Sequence, residues 1–280
     1  MISTATSGAS ATAAFTKVSV ENIPIYVADQ GAGTPTLLLH GLFDTSDVWS
    51  GVSERLRGNF RTLAPDLPGF GRSGEPTNFD AGLPHLAQFI DNLLEALGIS
   101  EPINLVGYDI GVTYGLAWAV SHPEKVRRLT IMNGNFFSDY QWHSWAKLWR
   151  IPVLGELIMA MVTESAYARS MAQSGPGMTA EQARAAAKLV TPAAKRMSLR
   201  HYRALDADNF RGWEDQLREL TSRVPTMVCW GDRDPFIAPS FAERFGAQEV
   251  HHFAEYGHWL PLEASAELAG YLSKFLGRGE

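Results

Sequence analysis

Cysteine is almost missing from this chain of 280 residues, and Cys229 is the single example. No disulfide can therefore form within the chain, and the apolar sequence around it (residues 224–231) predicts a buried strand with an inert thiol. Long apolar runs are also missing, since no window approaches the ~18 consecutive apolar residues that a membrane span requires. Residues 1–14 have neither the basic start nor the apolar block of a signal peptide. These absences favour a cytoplasmic protein with no membrane partner.

An excess of positive charge is missing as well, because 24 Lys and Arg face 30 Asp and Glu, which gives a formal net charge of −6. This balance offers no broad basic face, so we expect no nucleic-acid partner. The Gly-rich loop at residues 69–74 lacks the Gly-Lys-Ser/Thr ending of a phosphate-binding loop. What the chain does contain is many aromatic residues, with eight Trp and fourteen Phe, which predict a large core or an aromatic pocket.

Short apolar runs alternate with amphipathic helical patterns along most of the chain. This alternation predicts an α/β protein with a mostly parallel sheet, helices on both faces and right-handed crossovers. The predicted strands are residues 17–20, 23–28, 36–40, 60–65, 103–108, 128–133, 226–230 and 250–253. Ligands bind at the carboxyl ends of such strands, where His40, Asp109, Asn133 and Asp234 are predicted to lie.

Strand candidates are missing between residues 135 and 220. Helical patterns occupy this stretch instead, at residues 142–149, 154–161, 180–189 and 193–205. About 80 residues are too many for a connecting loop, so they predict an inserted helical cap. The predicted organisation is a mobile N-terminal tail at residues 1–15, a core at residues 16–134 and 221–280, and a cap at residues 135–220.

The turn after the fifth predicted strand carries the most specific pattern. Gly107 and Gly111 flank Asp109 at two residues on each side, in the pattern Gly-x-Asp-x-Gly. Small flanking residues permit the sharp strand-to-helix turn of a nucleophile elbow, which holds its central side chain exposed. The central residue is usually Ser, whereas a carboxylate can attack a saturated carbon and form an alkyl ester. Asp109 is therefore the candidate nucleophile.

Five motifs in this order resemble the α/β-hydrolase fold. They are His40-Gly41, residues 66–73 (Asp-Leu-Pro-Gly-Phe-Gly-Arg-Ser), the elbow, residues 231–235 (Gly-Asp-Arg-Asp-Pro) and Gly257-His258. The resemblance covers residues 16–280 and implies an eight-stranded, mostly parallel sheet with helices on both faces and an inserted helical cap. The aspartate in the elbow resembles the branch of epoxide hydrolases, haloalkane dehalogenases and haloacetate dehalogenases, which implies a hydrolase without a cofactor or metal.

The same resemblance implies roles for five residues. Asp109 would attack carbon, His258 would activate the water that hydrolyses the resulting ester, and Asp234 would orient His258. Imidazole titrates near neutral pH, which suits a general base. The backbone N–H groups of Leu42 and Ile110 would form the oxyanion hole.

Two positions separate the members of this branch. Haloalkane dehalogenases have Trp directly after the nucleophile and often Asn after His-Gly, where this chain has Ile110 and Leu42. Neither side chain can donate a hydrogen bond to a halide. Haloacetate dehalogenases have Arg after the nucleophile, which Ile110 cannot replace. In the pattern His-Gly-x-Pro, Phe43 replaces Pro, so the oxyanion turn is either built differently or belongs to a divergent member.

Epoxide hydrolases protonate the departing alkoxide with Tyr, or with Tyr and His, from the cap. Tyr202 occupies the expected place in the last cap helix, and Tyr140 is a candidate second donor. The other candidates for the second donor are Trp142, His143, Trp145 and Tyr167. The residues expected to bind a small hydrophobic substrate are Trp142, His143, Trp145 and Phe137.

The leading hypothesis is an epoxide hydrolase that converts hydrophobic epoxides to vicinal diols through an ester at Asp109. A dehalogenase is the first alternative, because Trp142, His143 or Trp145 could build a halide site by another route. Another α/β-hydrolase reaction and a non-enzymatic binding protein with an inactive elbow are the remaining alternatives.

Overall fold

One sheet of eight strands organises residues 14–279, the part of the chain that the structure, a computed structural model, describes. The strands are β1 (Ala14–Val20), β2 (Ile23–Gln30), β3 (Thr34–Leu39), β4 (Phe60–Pro65), β5 (Ile103–Tyr108), β6 (Val126–Met132), β7 (Thr226–Gly231) and β8 (Glu249–Phe253). Their order across the sheet is β1-β2-β4-β3-β5-β6-β7-β8. The β1/β2 and β2/β4 pairs are antiparallel, and the other neighbouring strands are parallel.

Helices cover both faces of this sheet and form the cap. They are α1 (Ser50–Leu56), α2 (Leu83–Ala96), α3 (Ile110–Ala119), α4 (Ser144–Trp149), α5 (Leu154–Met161), α6 (Glu164–Ser174), α7 (Ala180–Ala187), α8 (Pro192–Ala204), α9 (Trp213–Arg223), α10 (Leu260–Glu263) and α11 (Ser265–Leu276). Within residues 14–279, no helix is long and apolar enough to cross a membrane.

The apolar run in β3 explains why helices pack on both faces. Leu37 and Leu39 belong to the core cluster that includes α2 and α3, whereas Leu38 belongs to the cluster that includes α1 and α11. Successive strand residues point to opposite faces, so a strand covered on both sides must be apolar throughout. The predicted α/β-hydrolase fold, with its mostly parallel sheet and helices on both faces, is confirmed.

Two of the predicted domain boundaries differ from the structure. β1 begins at Ala14 and pairs with β2 from its first residue, so residues 14 and 15 of the predicted tail lie in a strand. The rest of that tail lies outside the described residues. The predicted boundary at residue 220 falls inside α9, because Leu217 and Leu220 pack into the same core cluster as α3.

One cap helix, α6, was not predicted from the sequence. Its residues are mostly small or polar, and Met171 is its one fully buried side chain, so no apolar stripe of helical period marks it. Thr163 caps its first turn by accepting a hydrogen bond from the N–H of Ala166. This helix matters for the site because it carries Tyr167.

Polar contacts fasten the cap to the core. Arg196 of α8 makes a bidentate ion pair with Glu75, with N–O distances of 2.7 and 2.6 Å. The Nε2 of His201, also in α8, lies 2.9 Å from the hydroxyl oxygen of Tyr114 in α3. These contacts hold α8 over the carboxyl edge of the sheet.

Candidate active site

Asp109 occupies a strained turn between β5 and α3. Its backbone has φ +52° and ψ −120°, a region that L-residues seldom adopt. A Cβ on Gly107 would lie 2.9 Å from the Gly111 carbonyl oxygen, and a Cβ on Gly111 would lie 2.3 Å from the Leu39 carbonyl oxygen. The two glycines therefore permit the turn that presents the carboxylate. Stored backbone strain of this kind is typical of functional side chains.

One oxygen of Asp109 already lies in the predicted oxyanion hole. The backbone N–H of Leu42 donates a 2.7 Å hydrogen bond to Asp109 Oδ1. The backbone N–H of Ile110 also stabilises this carboxylate. A Cβ on Gly41 would lie 3.0 Å from Oδ1, so the close approach of the loop requires glycine there.

Phe43 explains the departure from the His-Gly-x-Pro pattern. Its φ is +63°, whereas the proline ring fixes φ near −65°. Proline could not adopt this conformation, so the oxyanion turn is built differently from one that contains it. The Phe43 ring instead packs against Trp149 and Tyr167 of the cap, with centroid distances of 6.2 and 5.8 Å.

The structure brings the three predicted catalytic side chains together. His258 Nε2 lies 3.4 Å from Asp109 Oδ2, and His258 Nδ1 lies 2.7 Å from Asp234 Oδ2. The other oxygen of Asp234 accepts hydrogen bonds from the backbone N–H groups of Phe236 and Ile237 at 2.7 and 3.1 Å. Asp234 is thus fixed by the backbone and can orient the imidazole so that Nε2 faces Asp109.

The charges of this group depend on one another. Burial favours the neutral imidazole, but the carboxylates of Asp234 and Asp109 outweigh it and raise the pKa of His258 to about 10. Burial likewise works against the Asp109 carboxylate, but His258 and the N–H groups of Leu42 and Ile110 lower the pKa of Asp109 below its usual value. The resting site therefore holds an ionised carboxylate beside an imidazolium. Neutralising Asp109 as an ester would remove its share of the effect on His258 and free the imidazole to act as a base.

Two supporting residues were missed at the sequence level. Glu263 accepts hydrogen bonds from the N–H groups of Gly257 and Trp259, each 3.0 Å, and fixes the loop on both sides of His258. Asn133 donates to Asp234 Oδ2 at 2.9 Å and accepts from the Gly231 N–H at 3.0 Å. Asn133 was predicted at the sheet edge without a role, and no sequence pattern marks Glu263.

A cavity of about 490 Å³ lies between Asp109 and the cap. Its lining is mostly apolar. Besides Asp109 and His258, it includes seven of the other predicted site residues, namely Leu42, Ile110, Tyr140, Trp142, His143, Trp145 and Tyr202. Trp145 is 58% exposed and lies at the mouth. Phe137, predicted to bind substrate, does not line the cavity, because its ring packs on Phe245 at 4.8 Å and beneath Arg244.

Two phenols on the cavity wall carry free hydroxyl groups. Tyr202 packs between the rings of Trp142 and Trp149, each 5.2 Å away, and makes no hydrogen bond through its hydroxyl with the described residues. Burial and the charge of Asp109 raise the pKa of Tyr202 well above its usual value. Burial, Asp44 and Asp109 do the same for Tyr167. Both phenols therefore stay protonated and can donate a proton.

The other candidate donors are less free. The Tyr140 hydroxyl donates to the Phe236 carbonyl at 3.2 Å, so its proton is engaged by the backbone, contrary to the predicted leaving-group role. His143 Nδ1 accepts the Ala146 N–H at 3.3 Å, which leaves the ring proton on Nε2. Burial lowers the pKa of His143 to about 4, so this ring is a neutral donor near pH 7.

Metal chemistry has no evident ligands in the described residues. No group of three or more His, Cys, Asp or Glu side chains within residues 14–279 is arranged to hold a metal ion.

Known proteins with similar sequences and structures place this site in a family context. A family model described as the alpha/beta hydrolase fold matches residues 34–156. The cis-3-alkyl-4-alkyloxetan-2-one decarboxylase of Shewanella oneidensis is 26% identical over 91% of this chain and 86% of that protein. The epoxide hydrolase of Caballeronia sordidicola is 34% identical over 39% of this chain and 34% of its own length. The haloalkane dehalogenase of Agrobacterium fabrum is 34% identical over 38% of this chain and 34% of its own length.

The structural similarity extends over nearly the whole chain. A crystal structure of the meta-cleavage product hydrolase from Pseudomonas fluorescens superposes with a TM-score of 0.79 and 19% identity, over 95% of this chain and 98% of that one. The chain therefore has the α/β-hydrolase fold. Among proteins of this fold, it resembles ones named as epoxide hydrolase and haloalkane dehalogenase, as the motifs implied.

Proposed function

We propose that this protein hydrolyses hydrophobic epoxides to vicinal diols. The observation that carries the proposal is the orientation of the Asp109 carboxylate. Oδ1 accepts the Leu42 N–H, while Oδ2 lies beside His258 Nε2, and the residue lines the apolar cavity. A carboxylate held in this way has one oxygen free to attack carbon and keeps the other where negative charge will develop.

The reaction has two halves. In the first, Asp109 Oδ2 bonds to an epoxide carbon, the ring C–O bond breaks, and a cap phenol protonates the alkoxide. His258 then loses the proton that the charge of Asp109 had stabilised, and this proton restores the phenol. In the second, neutral His258 takes a proton from water, and the hydroxide attacks Cγ of the ester. The resulting oxyanion is Oδ1, already beside the Leu42 N–H, and loss of one such donor typically costs about 3 kcal/mol. Collapse releases the diol and restores Asp109.

The cap phenols favour an epoxide over other electrophiles. An alkoxide is strongly basic, so it needs an acid at its oxygen, whereas a halide leaves without a proton. Tyr202 and Tyr167 are protonated phenols on the cavity wall, and the charge of Asp109 helps to raise the pKa of each. We therefore assign Tyr202 as one donor and Tyr167, rather than Tyr140, as the second.

A dehalogenase is the second candidate, supported by the same carboxylate and by the similarity to a haloalkane dehalogenase. Two indole N–H groups near the cavity, those of Trp142 and Trp149, are buried and have no hydrogen-bond partner among the described residues. Unpaired donors could hold a halide, but neither nitrogen has accessible surface, so a halide would require both side chains to move. This arrangement supports dehalogenation less well than epoxide opening.

Product analysis distinguishes the candidates. The protein is incubated with a panel of apolar epoxides, haloalkanes and alkyl β-lactones, the last because one relative is named for a four-membered cyclic ester. We expect diols from the epoxides and no halide release. Halide release without diol would favour the second candidate.

An adduct on Asp109 tests the mechanism directly. His258→Gln removes the base of the second half, so intact mass and peptide mapping should find an ester on Asp109 after exposure to an epoxide. His252→Gln, a histidine on the surface strand β8, is the matched control and should turn over without adduct. If no electrophile in the panel modifies Asp109, the proposed function is wrong and a binding protein with an inactive elbow is favoured.

A further inference from the structure

An exposed apolar surface covers one end of the cap. Eight large apolar side chains are exposed among residues 14–279, and seven of them belong to α4, α5 and the turn between these helices. We call these seven the apolar ridge; they are Trp145, Leu148, Ile151, Val153, Leu154, Leu157 and Met161. Exposed apolar patches of this kind mark sites that bind a protein or a membrane.

Helix α5 is apolar on both of its faces. Its inner face is buried at Met159. Its outer face presents three exposed side chains at the three- and four-residue spacing of one helix face, namely Leu154, Leu157 and Met161. The one charged residue of α5, Glu156, is bound by the guanidinium group of Arg203, with N–O distances of 2.7 and 2.8 Å. A helix that is apolar all round is normally buried, so the outer face of α5 is suited to a partner.

The turn between α4 and α5 is apolar and strained. Residues 151–154 have the sequence Ile-Pro-Val-Leu, whereas turns at a surface are dominated by Gly, Pro and small polar residues. Val153 has φ +69°, an outlier for a β-branched residue, and its side chain is 70% exposed. Strain of this kind persists only where the surrounding structure imposes it, and it is common where ligands bind. The turn thus holds an apolar side chain outward at an energetic cost.

The cavity above Asp109 opens within the apolar ridge. Trp145 of α4 and Met161 at the end of α5 both line the cavity, although they are 58% and 79% exposed. The two side chains therefore belong to the ridge and to the cavity wall at once. A hydrophobic ligand in a phase that touches the ridge can reach Asp109 without crossing water.

The charge of the cap indicates which partner fits the ridge. Helices α4 to α8 (residues 144–204) contain nine Lys and Arg against three Asp and Glu, whereas the rest of the chain contains 15 against 27. The expectation of no membrane partner rested on the charge of the whole chain, in which the acidic remainder outweighs this basic segment. The segment that carries the ridge is therefore complementary to an anionic surface.

Two of these cations lie at the two ends of the ridge. Lys147 is exposed and stands between Trp145 and Leu148 in the sequence of α4. The ammonium group of Lys195 donates a 2.7 Å hydrogen bond to the Val162 carbonyl, directly after Met161 at the end of α5. Helices that bind at a membrane surface combine an apolar face with basic residues beside it in this way.

We propose that the apolar ridge docks on an anionic lipid surface and that hydrophobic substrate enters the cavity from the lipid. A second copy of this chain fits the ridge less well, because a two-fold interface brings the same patch of both copies together and the basic segments would repel each other. Docking does not depend on the reaction, whereas the entry of substrate rests on the proposed function above.

Co-sedimentation with vesicles measures docking. The wild type should bind vesicles of equimolar phosphatidylcholine and phosphatidylglycerol more than about tenfold more tightly than vesicles of phosphatidylcholine alone, since each cation at an anionic surface contributes about a factor of five. Lys147→Gln should weaken binding to the anionic vesicles about fivefold and leave binding to the neutral ones unchanged.

A double variant removes the apolar contribution. Val153→Asn/Leu157→Gln should bind the anionic vesicles at least about tenfold more weakly, because two apolar side chains no longer enter the lipid. Asn tolerates the positive φ at position 153, so the turn is kept. Phe15→Gln, at the eighth exposed apolar residue on the edge strand β1, is the matched control and should bind like the wild type.

Two results of these measurements would overturn the proposal. One is a wild type that does not bind the anionic vesicles, and the other is a double variant that binds them as tightly as the wild type. If the wild type also proves to be a dimer by light scattering and the double variant a monomer, the ridge belongs to a second copy of the chain instead.

Fluorescence identifies the surface that meets the lipid. Trp145 is the one exposed residue among the eight Trp, all of which lie within residues 14–279. Anionic vesicles with brominated acyl chains quench an indole only at close approach, so they should quench the wild type and quench Trp145→Phe much less. Equal quenching of both proteins would mean that another surface meets the lipid, and the proposal would be wrong.

Turnover separates docking from the reaction. With a long-chain epoxide held in limiting anionic vesicles, Val153→Asn/Leu157→Gln should form diol at least about tenfold more slowly than the wild type, in proportion to the lost binding. With a small water-soluble epoxide the rates should be equal, because neither residue lines the cavity. Equal rates with the embedded epoxide would overturn entry from the lipid. Absence of diol from both epoxides, with vesicle binding intact, would instead overturn the proposed function, so the two failures are distinguishable.

Discussion

Tyr114 in α3 and His201 in α8 form a buried contact of 2.9 Å between the core helix that begins at the elbow and the cap helix that carries Tyr202. His201 Nδ1 lies 2.9 Å from the Met197 carbonyl and must donate to it. Its Nε2 is therefore the acceptor for the Tyr114 hydroxyl. The neutral imidazole satisfies both partners, so cap docking depends on the ionisation of this ring.

Acid should loosen the cap through His201. Burial lowers the pKa of His201 to about 4, whereas an unfolded histidine titrates near 6.5. The unfolded chain thus binds more protons between these values, and stability is lost as pH falls from about 6.5 to 4. At about 1.4 kcal/mol per pH unit, the loss approaches 3 kcal/mol. Urea unfolding at pH 7.5 and 4.5 should give a smaller difference for His201→Gln than for wild type. His122→Gln, a change at a partly exposed histidine outside the cap, is the control. If the stability difference between the two pH values is unchanged in His201→Gln, or falls equally in His122→Gln, this assignment is contradicted.

The positive φ of Phe43 should make proline harmful at this position. Phe43→Pro requires φ near −65° in place of +63° and should move the Leu42 N–H away from Asp109 Oδ1. Ester hydrolysis should slow by about 10²–10³-fold, as for loss of an oxyanion-hole donor. Phe43→Gly is the control, because glycine keeps the positive φ and loses only the ring. Equal losses in both variants would indicate that the ring, not the turn, is responsible.

The site residues that could be predicted from the sequence differ from the others in whether a local sequence pattern marks them. Asp109, His258 and Asp234 follow strands within recognisable local patterns, so their common position at one edge of the sheet could be predicted from the sequence alone. Tyr167 lies on a helix without an apolar stripe. Phe137 was misassigned because an aromatic residue at the start of the cap can pack on the core as readily as it can line a cavity.

The cap tyrosines should differ in how much each contributes to the rate of ester formation. Tyr202→Phe and Tyr167→Phe should each slow ester formation with epoxides, by up to about 10²–10⁴-fold for a primary proton donor. Tyr140→Phe is the matched control, because its hydroxyl already donates to the Phe236 carbonyl, and it should lose less than tenfold by the same measure. Single-turnover rates from quench and mass spectrometry give the comparison. A larger effect at Tyr140 than at Tyr167 would reverse the assignment of the second donor.

Asp109→Ser should change the reaction rather than only slow it. A serine hydroxyl cannot open the epoxide at a useful rate, but it would retain His258 as a base and the N–H groups of Leu42 and Ile110 as an oxyanion hole. We expect loss of diol formation and the appearance of hydrolysis of activated aryl esters, about 10²-fold above Asp109→Ala, the lower end of general-base assistance. The gain should be modest because Ser is one bond shorter than Asp, so Oγ lies farther from His258 Nε2 than the 3.4 Å of Asp109 Oδ2. Aryl ester assays on purified Ser and Ala variants measure it. Equal rates for the two variants would mean that His258 cannot reach a serine in this elbow, and that its position serves the carboxylate alone.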